Sequence, residues 1–182
     1  GEIVRRAESA RFKAKAGGGD GIIFYESGMG EAIEARLKEE HALRAAIANN
    51  ELRVFLQSQV DEKGVVRGAE ALVRWQHPVR GMMAPGLFIP QAELSNLIVE
   101  LDRWMLKAVC QLLSYLDGQG NELPISVNIS ARHFTEPDFV GVVSGLLQRY
   151  QVPAGRLVLE VTEGMMLHDV SQVIERMHAL IK

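Results

Sequence analysis

A single cysteine, Cys110, leaves the chain without an intrachain disulfide, which fits a reducing cytoplasm. Its place in an apolar helical pattern reads as a buried structural thiol rather than a nucleophile. Long apolar runs are missing as well. None approaches the roughly 18 residues of a membrane-spanning helix, and the first residues carry Glu2, Arg5, Arg6 and Glu8 where a signal peptide is apolar. Positive charge is not in excess: 20 Lys and Arg against 23 Asp and Glu give a formal net charge of -3. That balance argues against a general phosphate-backbone binder and removes nucleic acid polymers from the expected partners. The five histidines, His41, His77, His133, His168 and His178, show no paired ligand spacing, so zinc is disfavoured and each reads as a surface or capping residue. No elbow motif supports a Ser-His-Asp triad, and no repeat or low-complexity tract interrupts the chain.

What is present is a globular composition, 47% hydrophobic over 182 residues, enough for one core plus an appendage or for two small domains. The chain starts inside a helical pattern, "EIVRRAESARFKAKA", without a methionine, which suggests a fragment of something longer. Glycines at 17–21 break that helix. "IIFYES", residues 22–27, is a short β-prone run with no partner strand in the chain. Residues 28–50 then form a charged helical pattern, read as an exposed connecting helix whose charges are a solvated face.

Two β-patterned runs follow, "LRVFLQSQV" and "VVRGAEALVRW", separated by only "DEKG", a connection short enough to force an antiparallel hairpin. After the loop "QHPVRGMMAPG" come a short helix in "LFIPQAEL" and a long one over 98–116, where Ile98, Leu101, Met105, Val109, Leu112 and Leu116 recur at three and four. Strand "ISVNIS", a helix over 137–150, strand "RLVLEVTE" and a helix over 169–181 complete a β-α-β-α alternation. That alternation signals right-handed crossovers and a parallel sheet covered by helices.

Read with period two, Glu70, Leu72 and Arg74 share one face of their strand, while Ala69, Ala71, Val73 and Trp75 share the other. An amphipathic edge strand with its polar face in water accounts for this strand alone. The later strands repeat the pattern, however: Asn128 and Glu160 alternate against Val127 with Ile129 and against Leu159 with Val161. Helices with apolar stripes must cover the apolar side, so Glu70, Asn128 and Glu160 point to the opposite face, with Gln57 and Gln59 as candidates to join them. Burying unpaired carboxylates under a second helix layer costs several kcal/mol each, so a curved sheet closing toward a barrel explains the pattern better than an open doubly wound one. Two carboxylates and a carboxamide form an all-oxygen ligand set suited to Mg²⁺ or Mn²⁺.

The motifs "GAEALVRWQHP", "FIPQAE", "SVNISARHF" and "LVLEVTE" resemble, in order, those of EAL domains, the bacterial phosphodiesterases that linearise cyclic di-GMP. The similarity covers about residues 51–182, and "AESARFKAKAGGGDGIIFYE" is similar to the tail of a GGDEF domain. The resemblance implies residues 1–27 as a GGDEF remnant, 28–50 as a connecting helix and 51–182 as the N-terminal part of an EAL domain. It implies an α/β fold: an incomplete (β/α)8 TIM-type barrel with an antiparallel first strand. It implies Glu70, Asn128 and Glu160 as metal ligands and catalytic residues, Arg74 as a contact to a substrate phosphate, and Leu72 as a position lining the substrate pocket; Gln57, a candidate for the same face, is taken as a further substrate-binding position. Glu93 and Glu163 match recurrent acidic positions without an assigned role. The implied reaction is metal-dependent hydrolysis of cyclic di-GMP to linear pGpG in a cytoplasmic signalling protein.

The family continues beyond this point into paired aspartates, a lysine, a glutamate and a glutamine that are absent here, so this chain alone is expected to be inactive. The cyclase signature loop is absent too, so no cyclase activity is expected from this remnant. A half barrel has exposed sheet edges, from which association with another copy is expected. Alternatives are a non-catalytic cyclic di-GMP receptor signalling through the connecting helix, and a structural piece without a ligand.

Overall fold

The computed structural model describes residues 2–16, 22–161, 174–176 and 178. Four strands form a sheet in the order β1 (Leu52–Val60), β2 (Val66–His77), β4 (Ile125–Ile129) and β5 (Leu157–Val161), and a short β3 (Gly81–Met83) pairs with β2. β1 is antiparallel to β2, as a loop of this length requires, while β2, β4 and β5 run parallel. The hairpin loop is organised by Asp61, whose carboxylate accepts the N–H of Lys63 at 2.9 Å, the N–H of Val65 at 3.0 Å and Nε of Arg67 at 2.9 Å. The Val65 hydrogen bond, with those from Arg67 and Lys63, holds the Asp61 carboxyl below its ordinary value.

One face of the sheet is covered by α4 (Leu97–Asp117), which also packs on α6 (Phe139–Tyr150). The apolar stripe of α4 buries Leu97, Ile98, Leu101, Met105, Leu106, Val109, Cys110 and Leu113. Against it lie Ala71, Val73, Ile125, Val127, Ile129 and Leu157, the alternate residues of three strands. Burying a side chain of this kind contributes about 1.5–3 kcal/mol, and this layer fixes which face of every strand is left for polar residues. Among the described residues no helix is long and apolar enough to cross a membrane.

Polar clamps tie the parallel strands at their amino ends. Buried Arg156 donates to Asp117 Oδ1 at 2.8 Å, to the Asn121 carbonyl at 2.6 Å and to the Leu123 carbonyl at 3.3 Å from Nε, which fixes the entry of β5 beside that of β4. Gly68 opens the β2–β4 seam: a Cβ there would lie 3.1 Å from the Pro124 carbonyl oxygen and 3.2 Å from Gln59 Oε1. That carbonyl accepts the Ala69 N–H at 3.0 Å.

Four expectations are revised or fall outside the description. Residues 22–26 form no strand, because among the described residues no strand lies beside them to supply their N–H and C=O groups with partners. The connecting helix, α2 (Met29–Ala48), is not simply solvated: Leu43 and Ala46 are fully buried in the core, since they lie three apart on one stripe. Its charged face binds elsewhere on the body, Glu39 pairing with Arg80 and Arg36 donating to the Leu94 carbonyl at 3.0 Å. The loop read between the second strand and the short helix contains β3, and a one-turn helix α5 (Ala131–Phe134) follows β4. The glycine break at 17–21, Glu163 and His168 lie outside the described residues, as does most of the last predicted helix.

Burial pushes the Cys110 thiol up to about 11. Its thiolate is therefore scarce in the folded protein, and Ellman's reagent at neutral pH should titrate less than one thiol until denaturant is added. Immediate stoichiometric reaction of the native protein would contradict the packing of α4.

Candidate active site

The face of the sheet turned away from α4 carries the polar residues. Along β2, Ala71, Val73 and Trp75 are buried and Glu70, Leu72 and Arg74 are half-buried on the other side. β4 buries every residue but Asn128, and β5 leaves Glu160 half-buried. The parallel register sets Asn128 beside Glu160, and it sets Ser126 beside Glu70. Asn128 therefore stands diagonally one step ahead of Glu70, and its Nδ2 donates to Glu70 Oε1 at 2.7 Å. The distance is short for a neutral donor because the acceptor is a carboxylate.

The amide nitrogen being engaged, Asn128 turns its oxygen away from that bond. Among the described residues the Glu160 side chain has no hydrogen-bond or ion-pair partner, its backbone lying in the β4–β5 ladder. Two carboxylates and a carboxamide oxygen thus collect on one sheet face with no protein cation bonded to them, which is the donor chemistry of a hard divalent cation. Among the described residues no group of three His, Cys, Asp or Glu side chains could hold a metal ion, and the candidate set here is two carboxylates with the Asn128 carboxamide.

The remaining predicted residues are placed less directly. Leu72 and Asn128 line a cavity of about 260 Å³ with Glu93, Ile98, Asp102 and Ser130. Arg74 folds back on its own strand: Nη1 donates to the Val73 carbonyl at 2.9 Å, and the guanidinium lies 5.7 Å from the centre of the Phe55 ring. The structure therefore does not bring it to the Glu70–Asn128 pair. Gln57 is the register partner of Glu70 but is exposed on β1. Gln59, instead, reaches Ser126 Oγ at 3.3 Å. A larger hollow, about 650 Å³, lies between α1 (Glu2–Ala16) and α2 and is lined by Arg5, Arg6, Glu8 and Glu34 with Tyr25. It contains none of the predicted residues, and its mixture of signs gives no reason to move the chemistry there.

Sequence reasoning missed Asp102 and Ser130, which border the cavity. The signal was available: Asp102 is an acid four residues after Ile98 and three before Met105, inside an apolar stripe. An acid in that position needs a specific partner.

The EAL domain family model matches residues 40–181. An uncharacterised protein of Mycobacterium tuberculosis is 38% identical over 172 residues, covering 93% of this chain and 28% of that protein. The bifunctional diguanylate cyclase/cyclic di-GMP phosphodiesterase MucR of Pseudomonas aeruginosa is 35% identical over 184 residues, covering 98% of this chain and 27% of that protein. The chain thus spans little more than a quarter of the length of these relatives. Among solved structures, the PaMucR phosphodiesterase in complex with c-di-GMP superposes with a TM-score of 0.74 at 35% identity, covering 79% of this chain and 59% of that one.

The Glu70–Asn128 bond makes a sharp prediction. Asn128→Asp sets two carboxylates against each other, so the metal-free variant should unfold at lower denaturant than wild type at about pH 7. The gap should narrow at about 1 M salt, where screening weakens the repulsion. Equal midpoints for variant and wild type at low and high salt would mean that the two side chains do not meet.

Proposed function

This chain belongs to the EAL domain family, and on that premise we propose that it is part of a phosphodiesterase that opens cyclic di-GMP to linear pGpG. The observation that carries the proposal is the meeting of Asn128 with Glu70, with Glu160 on the neighbouring position of β5. Glu70, Asn128 and Glu160 are the residues that would hold a divalent cation, Mg²⁺ or Mn²⁺, through oxygen. When bound, such an ion supplies charge neutralisation at the phosphodiester and a water of lowered pKa.

The chain's own residues have separable tasks. Glu70 and Glu160 would hold the cation beside the substrate phosphate, their own charge being repulsive to it without the ion, and Asn128 orients Glu70 through its amide. Arg74, one face-position beyond Leu72, offers a fork of donors to a nonbridging oxygen once it leaves the Val73 carbonyl. Leu72 gives the adjoining cavity an apolar wall for part of the nucleotide, and Gln57 on β1 is the substrate-binding position opposite Glu70. In the same reading residues 1–27 are the tail of a GGDEF domain, 28–50 the connecting helix, and 51–182 the N-terminal part of the EAL domain.

The test is an assay for linear pGpG with the full-length protein that contains this chain, in Mg²⁺ or Mn²⁺. Turnover should be abolished by EDTA and reduced on the order of 100-fold or more in Glu70→Gln, with little change in thermal midpoint. Full-length protein that is folded yet produces no pGpG in either metal would overturn the proposal.

A further inference from the structure

Asp102 is 6% exposed, on a helix face whose other members are core residues. A carboxylate in such surroundings is tolerated only when its oxygens find donors. Both of its donors come from one residue: Ser130 gives its backbone N–H at 2.9 Å and its hydroxyl at 2.6 Å to the same oxygen, Oδ2. The Ser130 hydroxyl oxygen in turn accepts the His133 N–H at 3.2 Å, capping α5. Contrary to the surface or capping role expected of it, the His133 ring is wholly buried, its Nδ1 3.7 Å from Asp102 Oδ2, too far for a hydrogen bond. Asp102 therefore anchors the point where β4 stops and α5 starts.

That point is two residues beyond Asn128, and the sheet leaves a gap there. The ladder between β2 and β4 runs only through Ala69 with Ile125, Glu70 with Ser126, and Ala71 with Val127. At Asn128 no register partner on β2 remains, although β5 pairs with β4 through Ile129 and Val161. The distance from Asn128 to Glu70 is thus not set by backbone pairing on the side where the contact is made. The anchor at Ser130 holds the end of β4 that has no partner on β2 toward α4, with Ile129 buried between the anchor and Asn128.

We infer that Asp102, acting through Ser130, is a positioning residue for the Glu70–Asn128 pair. The inference rests on the proposed cation-binding role of that pair. Groups hydrogen-bonded to a metal ligand typically change metal affinity 10–100-fold when removed; Ser130 acts on Asn128 through the intervening backbone, which sets the expected effect at the lower end of that range. Because Asp102 and Ser130 also line the cavity, direct contact with a nucleotide is the competing role that the experiment must separate.

The experiment uses the full-length protein and its Asp102→Asn, Ser130→Ala and Ser130→Thr variants, each checked for folding by circular dichroism. Mn²⁺ binding is measured by titration calorimetry, and cyclic di-GMP binding is measured separately in EDTA. Ser130→Ala keeps the backbone donor and the carboxylate, so it guards against loss of the fold in the Asp102 variant. Ser130→Ala and Asp102→Asn should each weaken Mn²⁺ binding about 10-fold or more, Ser130→Thr should stay within about threefold of wild type, and metal-free nucleotide binding should hold within about threefold. Folded variants that bind Mn²⁺ as wild type does would overturn the inference, as would a loss confined to metal-free nucleotide binding. Wild type that binds no Mn²⁺ would instead remove the reading of Glu70, Asn128 and Glu160, and this inference with it.

Discussion

A strand offers two faces, and in this chain α4 takes one of them. Once Ala71, Val73, Ile125, Val127, Ile129 and Leu157 turn toward the helix, the pleat leaves no choice about where Glu70, Asn128 and Glu160 go. A slip of one residue in any of these strands would bury a carboxylate against α4 and expose an apolar side chain, a double cost that selects one register. The arrangement of the polar face is therefore enforced by packing that takes place on the other side of the sheet.

The period of two and the short loop "DEKG" made much of this readable. They predicted the antiparallel hairpin, the parallel strands after it and the side on which Glu70, Asn128 and Glu160 stand. Elsewhere tertiary contact decided what local pattern did not. In α2 the buried residues Leu43 and Ala46 are embedded in alternating charge, so the stripe is too narrow to distinguish from a solvated helix. Residues 22–26 have β propensity, but propensity without a neighbouring strand satisfies no backbone group. β3 is three residues long and has no periodicity to detect. The hydrogen bond between Asn128 and Glu70 spans 58 positions and depends on a diagonal offset in the register, which no single strand encodes. The fold-back of Arg74 onto Val73 is likewise a matter of rotamer, invisible to pattern.

The two ends of the parallel strands are tied down by different chemistry. At the amino ends a buried arginine gathers the Asp117 carboxylate and the carbonyls of Asn121 and Leu123. At the carboxyl end a buried carboxylate gathers the two donors of Ser130. Each uses a polar group inside the apolar layer, where leaving it unpaired would cost about 1–3 kcal/mol or more. Such groups specify geometry more strictly than an apolar contact does, because a hydrogen bond has a direction and a methyl contact does not.

Gly68 gives this geometry a far end. With the Pro124 carbonyl oxygen 3.1 Å from where a Cβ would be, the lead-in to β4 rests almost on the β2 backbone. A methyl group there would act as a shim between two planks, spreading β4 from β2 at the root and tilting its tip. The absent side chain is in that sense a tolerance setting: it permits a close spacing at the amino end of the β2–β4 seam, while at the carboxyl end the alignment of Asn128 with Glu70 is left to their own side chains and to the Ser130 anchor.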